Sequence, residues 1–235
     1  MKKVGSYIEG AELEIGPKGV PKVFVPHSFN ETNQSYIEDF IRKHAFATLI
    51  SSDNGRPVAT HLLLDLEEGP SSRLALSGHM AKANPQWRTF RDDREVLSIF
   101  NGPHTYVSAS WYSIKSAPTW NYVNVHVYGL PRIINDNVEL YGLLKRLVDK
   151  QEQQSPADTR YRIESLPNDV LESMMGAVVG FEITVTKIEA AAKLSQNRNA
   201  QDYRNIIEKL EVRGDPESLE VAKEMILRMP QSIPE

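Results

Sequence analysis

Three short stretches carry most of the residue types that could do chemistry. The first is "GHMAKANPQW", residues 78–87, where Lys82 stands two positions before Asn84-Pro85. Asn followed by Pro suits the N-cap and first position of a short helix, here one carrying Trp87, Arg88 and Phe90. The free N–H groups at such a helix start, with an ammonium nearby, attract an anion the size of a phosphate. In the competing reading Asn84 caps those groups itself, and Lys82, with Arg88, is left to hold the charge. The second stretch is "TWNYVNVHVYG", residues 119–129, read as a strand: Val123, Val125 and Val127 share one face, and Trp120, Tyr122, Asn124, His126 and Tyr128 share the other. That second face is too aromatic for plain solvent and suits either a subunit interface or the wall of a pocket for a planar ligand. The third is "KLSQNR", residues 193–198, whose Lys193, Ser195, Gln196, Asn197 and Arg198 could meet carbonyl and phosphate oxygens. It also reads as a plain loop leading into a helix, with Asn197 or Asn199 as N-cap.

Other chemistries have less to stand on. The six histidines, His27, His44, His61, His79, His104 and His126, form no H-E-x-x-H or paired helical arrangement, and there is no cysteine, so no metal site is expected. Ser108, Ser110 and Ser113 lack the G-x-S-x-G elbow of a serine hydrolase, and no Gly-rich phosphate loop of the P-loop or Rossmann kind occurs.

The elements that must position these residues are mostly strands. Period-two patterning runs through 46–51, 58–66, 73–79, 95–100, 105–112, 119–134 and 177–189, and Asn54-Gly55 marks a tight hairpin between the first two. Seven β-rich runs at short spacing point to a closed barrel rather than a βαβ sheet. Helical spacing appears after Asn30 or Thr32, with Tyr36, Ile37, Phe40 and Ile41 on one face, and again over 137–152 and 168–175. Two more helices follow in the tail, the last with Asp215 as N-cap, Pro216 at its first position and a stripe of Leu219, Ala222, Ile226 and Met229.

With 235 residues, 40% of them hydrophobic, the chain can bury a substantial core. The absence of cysteine excludes disulfides and thiolate chemistry and agrees with a cytoplasmic setting, and no stretch approaches the apolar length of a membrane span. A net charge of -4 and a pI near 5.9 lack the basic bias of a nucleic-acid-binding protein, so DNA contact is possible but not supported.

Taken together, the stretches resemble the PaiB-type family of FMN-binding negative transcriptional regulators, of the FMN-binding split-barrel class. The resemblance rests on "FATL" (46–49), "ATHL" (59–62), "GHMAKANPQW" (78–87), "GPHTYVSASWY" (102–112), "PTWNYVNVH" (118–126), "VGFEI" (179–183) and "KLSQNR" (193–198), in the family's order. It departs where the family's Glu-Gly-Lys before the last motif reads Glu189-Ala190-Ala191, which removes one possible anion contact. It implies an α+β, mainly β fold: a six-stranded split barrel over 23–198, with peripheral helices, an N-terminal extension over 1–22 and a helical C-terminal tail over 199–235. It also implies a homodimer that holds FMN. Lys82 and Asn84 would meet the phosphate and Trp120, Asn121 and Tyr122 the ring. Thr60, His61 and His79 would flank it, while Ser195, Gln196 and Arg198 close the site. Regulator or redox sensor, FMN-dependent oxidoreductase and haem-binding or haem-degrading protein are the functions it leaves open, the last with His79, His104 or His126 as axial ligand.

Overall fold

The computed structural model of the chain describes residues 25–69 and 73–229. The expected N-terminal extension, 1–22, lies outside the described residues. Seven strands, one more than the six expected, form a single sheet in the order β2-β1-β5-β6-β7-β4-β3. They are β1 Phe46–Asp53, β2 Arg56–Leu63, β3 Asp65–Glu68, β4 Leu74–Ala81, β5 Val96–Val107, β6 Thr119–Ile134 and β7 Val178–Lys193. The helices are α1 Gln34–Lys43, α2 Asn137–Glu152, α3 Asn168–Gly176, α4 Ala200–Arg213 and α5 Pro216–Leu227. The protein is thus mainly β with peripheral helices, as expected.

Local signals account for several boundaries. Asn54 and Gly55 have φ of 50° and 84°, and Asp53 pairs with Arg56, so the two-residue turn closes the β1–β2 hairpin as read. The cap of α1 is Asn33, whose side chain accepts from the Tyr36 N–H, rather than Asn30 or Thr32. The run expected as one strand over 58–66 is two. Leu64 leaves the ladder, its N–H donating to the Ala45 carbonyl at 2.9 Å, and β3 then pairs antiparallel with β4 instead of β1. Conversely, the runs 95–100 and 105–112 merge across Gly102-Pro103 into the single strand β5. Gly102 serves packing there rather than a turn, because a Cβ would come within 2.5 Å of the Phe40 ring.

Contacts divide the chain into two units. The first holds residues 32–102 and 123–190. Its core includes Ile37, Phe40 and Ile41 from α1 with Leu49, Leu62, Leu64, Leu76, Phe100, Phe181 and Ile183 from the strands. Ile134 packs there with Leu140, Leu143 and Leu147 of α2. A close approach of β6 to β7 also shapes this unit: a Cβ on Gly129 would lie 2.5 Å from both Ile183 Cγ2 and the Thr184 carbonyl oxygen. Gly129→Ala should therefore lose about 1–3 kcal/mol of stability, since backbone cannot yield as a side chain can. Urea unfolding checks this, and an unchanged midpoint would refute it.

The second unit, among described residues, holds 25–31, 103–122 and 191–229. Tyr203, Ile206, Ile207 and Leu210 of α4 and Val221, Ala222 and Met225 of α5 are buried, and the Tyr203 hydroxyl donates to the Met225 carbonyl at 2.8 Å. Gly214, at φ 71°, ends α4, while Asp215 caps α5 at the Ser218 N–H ahead of Pro216. The buried face of α5 is Ser218-Val221-Ala222-Met225, not the expected stripe, of which Leu219 and Ile226 are exposed. A serine opens the true face. Its hydroxyl is paired inside with Asp215 and Thr105, which hides the period from a reading of apolar residues alone.

Candidate functional site

In the first unit, the loop that follows β4 is built around residues that hold Lys82 in place. The Lys82 N–H donates to the Ala177 carbonyl at 2.8 Å, and its own carbonyl accepts from the Trp87 indole N–H at 3.0 Å. The backbone is thereby pinned at both polar groups while the ammonium stays exposed, forming no ion pair among the described residues. Asn84 takes the capping role: its side-chain oxygen accepts from the Gln86 N–H at 3.0 Å, and its amide donates to the Thr60 hydroxyl at 2.8 Å. The expected helix is a single five-residue 3-10 turn, Pro85–Thr89, with its cap already filled, so the charge of Lys82 remains the feature suited to an anion.

Gln86, which the motif reading passed over, is the anchor. It is 1% exposed, and its side-chain amide donates toward the Leu49 carbonyl (3.0 Å), the Ser51 hydroxyl (3.2 Å) and the Val58 carbonyl (3.2 Å). Only its type, an amide inside an otherwise aromatic and basic turn, signals this in the sequence. Lys82 and Trp87 open on a groove of about 550 Å³ whose other polar groups are Asn135, Asn137 and Glu172. Lys82 is its one cation, and the two asparagine amides add donors; Glu172 favours an anion seated on the Lys82 side. The structure thus brings Lys82, Asn84 and Thr60 onto one framework.

His61 is exposed on β2, beside Thr48 of β1. It faces away from Thr60, since successive side chains alternate. His79 does not join Lys82. It lines a separate apolar cavity, and its buried Nδ1 has no hydrogen-bond partner. Burial pushes its imidazole below the ordinary value, so the ring is neutral near pH 7.

The remaining expected residues lie in the second unit. Trp120 is 53% exposed and packs edge-on to Tyr106, at 6.0 Å and 69°, with His104 at 6.4 Å. Tyr122 is half-buried under the Lys193 ammonium, 5.9 Å from its ring centre. Lys193 ends β7 instead of opening a loop, donates to the Thr119 hydroxyl at 2.7 Å, and burial lowers its pKa. Asn121 is fully buried, accepting from the Ser195 hydroxyl at 2.9 Å and donating to Met225 Sδ at 3.5 Å. Gln196 turns both arms onto its own loop, to the Leu194 N–H and the Ala192 carbonyl. Arg198 stacks 4.0 Å over the Tyr112 ring and donates to Ser116, and Asn199 caps α4. Most donors of "KLSQNR" are therefore spent on shaping that loop, which leaves Trp120 as the large exposed aromatic surface there.

A family model described as "Putative FMN-binding domain" matches residues 23–187. The chain is 39% identical over 203 residues to the "Protease synthase and sporulation protein PAI 2" of Bacillus subtilis (strain 168), covering 86% of this chain and 96% of that one. Among solved structures, the flavocytochrome Anf3 of Azotobacter vinelandii aligns with a TM-score of 0.55 at 14% identity, over 76% of each chain. A FAD and heme binding protein of Mycobacterium smegmatis aligns at 0.50 and 16%, over 74% of this chain and 78% of that one. At such identities these two show a shared fold alone.

Proposed function

The chain belongs to the PaiB-type family of FMN-binding proteins, and on that premise we propose that it binds FMN with the phosphate at Lys82 and acts as a flavin-linked redox sensor in gene control. The observation that carries the phosphate assignment is the pinned Lys82 backbone, which presents to a groove with amide donors an ammonium that has no ion pair among the described residues. A dianion needs fixed charge, and fixing the chain on both sides reduces the entropy lost on binding. Asn84 and Thr60 act behind Lys82, as the bonds that hold its loop. Trp120, exposed and flat, with Tyr122 beside it in sequence, offers an aromatic surface of the kind an isoalloxazine face packs against. When bound, FMN supplies hydride and electron transfer through that ring. The chain's own residues hold, orient and shield it.

The net charge of -4 does not favour direct reading of DNA, so the proposal places no DNA contact on this chain. The relative named "Protease synthase and sporulation protein PAI 2" ties the family to sporulation, and that lends the regulatory side of the proposal its support. A cytoplasmic homodimer completes the reading. The exposed aromatic surface of Trp120 and Tyr106 is of the kind a second copy covers. Among the described residues no helix is long and apolar enough to cross a membrane.

Titration of the purified protein with FMN, riboflavin and haem tests the proposal. FMN is expected to bind at one per chain and more tightly than riboflavin. Haem binding with no flavin binding would overturn it.

A further inference from the structure

Beside the Lys82 groove, and distinct from it, lies a half-open cavity of about 330 Å³ that the FMN reading does not use. Leu144, Leu147 and Val148 of α2 and Leu171 and Met174 of α3 form most of its wall. From this geometry we infer that the cavity is a second ligand site, for an uncharged, compact aromatic molecule bearing one hydroxyl or similar group.

Three observations carry this. The volume lies within the range of small-ligand pockets, and most of the lining is aliphatic or thioether, a surface that takes up rings from water without a charged partner. No lysine or arginine lines it, and its one ionised group, Glu152, is engaged by the Tyr161 N–H at 3.0 Å. A phosphate or carboxylate entering there would be desolvated with no cation to meet it, so FMN's phosphate and organic anions are excluded. Half-buried His79 stands in the wall: its Nδ1 is sealed off with no partner among the described residues, and the rest of the imidazole, kept neutral by burial, is what a ligand's hydroxyl can meet. A few polar groups amid apolar walls, here His79 with Gln151 and Tyr161, are what fix the orientation of a neutral ligand.

The cover over the cavity is able to move. No residue of α3 is buried, no side chain caps its start, and Val170 and Met174 are exposed. A short, unburied helix lies at the low end of local stability, and methionines adapt to varied ligand shapes. Met175 and Val178 line both this cavity and the Lys82 groove, so the two sites share a wall while their chemistry differs.

The test is calorimetric titration of the full chain with 2-naphthol and with 2-naphthoate, each with and without saturating FMN. Naphthol should bind at one per chain whether or not FMN is present, and naphthoate at least tenfold more weakly. Leu171→Trp, which places an indole in the cavity, should weaken naphthol at least tenfold and leave FMN affinity unchanged. Val148→Phe serves the same purpose should the first variant fail to give a native circular dichroism spectrum. No naphthol binding, equal binding of the two probes, competition with FMN, or full binding by a folded filled-cavity variant would each overturn the inference. Because FMN is titrated separately, loss of the flavin reading and loss of this one give different results.

Discussion

Replacing Lys82 with alanine is expected to weaken FMN by roughly ten- to a hundredfold, the equivalent of about 1.5–3 kcal/mol for a charged hydrogen bond. Riboflavin, which has the same ring and no phosphate, should change by less than about twofold. The substitution is clean because both fixed contacts of residue 82, with the Ala177 carbonyl and the Trp87 indole, are made by its backbone and survive in alanine. The exposed ammonium forms no ion pair among the described residues, so little stability is lost with it. Lys82→Arg keeps the charge but changes the geometry, and should fall between the two. Added salt should narrow the gap between FMN and riboflavin in the unmodified protein, since an exposed charge is screened. Parallel fluorescence titrations of both flavins decide the matter. Equal losses would remove Lys82 from the phosphate, whereas an unchanged FMN affinity would move the phosphate elsewhere.

What could be read in advance, and what could not, divides along the range of the forces involved. Asn54-Gly55 and Asp215-Pro216 act within a few residues: positive φ and an N-cap are local demands, and both turned out as read. The break at Leu64 was hidden because it is a change of pairing partner, from β1 to β4, while Leu62, Leu64 and Leu66 keep an apolar period of two; the buried Asp65 that breaks the alternation in the fold is polar. The buried face of α5 was hidden because Ser218 is polar, and only bonds to Asp215 and Thr105 make it an inside residue. The position of Lys82 was plain in "GHMAKANPQW", but its fixation depends on Gln86 reaching Leu49, Ser51 and Val58, strands that lie far away in sequence. The same limit applies to the ligand assignments. Residue type marks a donor, while its remaining free is a property of the fold. Among the described residues the Lys82 ammonium has no ion pair, whereas both arms of Gln196 are taken.

Asn121 separates these possibilities most sharply, and Asn121→Ala is expected to cost about 3 kcal/mol in stability, roughly two powers of ten in the unfolding equilibrium. The residue is 0% exposed, and its side-chain oxygen receives the Ser195 hydroxyl at 2.9 Å while its amide reaches Met225 Sδ. Alanine leaves the hydroxyl of Ser195, itself 3% exposed, buried without a partner, and it opens a void where the amide stood. The first effect contributes about 1–3 kcal/mol and the second adds to it, while the sulfur contact is weak. Ser195→Gly provides the contrast. Ser195 sits at φ 64°, a conformation that costs a non-glycine residue about 1–2 kcal/mol, so glycine relieves there much of what the lost hydrogen bond takes away. Its net change should therefore stay within about 1 kcal/mol. Urea unfolding of the two variants, followed by flavin titration of the folded protein, distinguishes a strut from a ligand contact. A strut lowers the midpoint for Asn121→Ala far more than for Ser195→Gly and leaves flavin affinity of the folded fraction within about twofold. A folded Asn121→Ala protein of normal stability that had lost FMN would instead place this amide against the ligand, which requires the segment around it to open before FMN can bind.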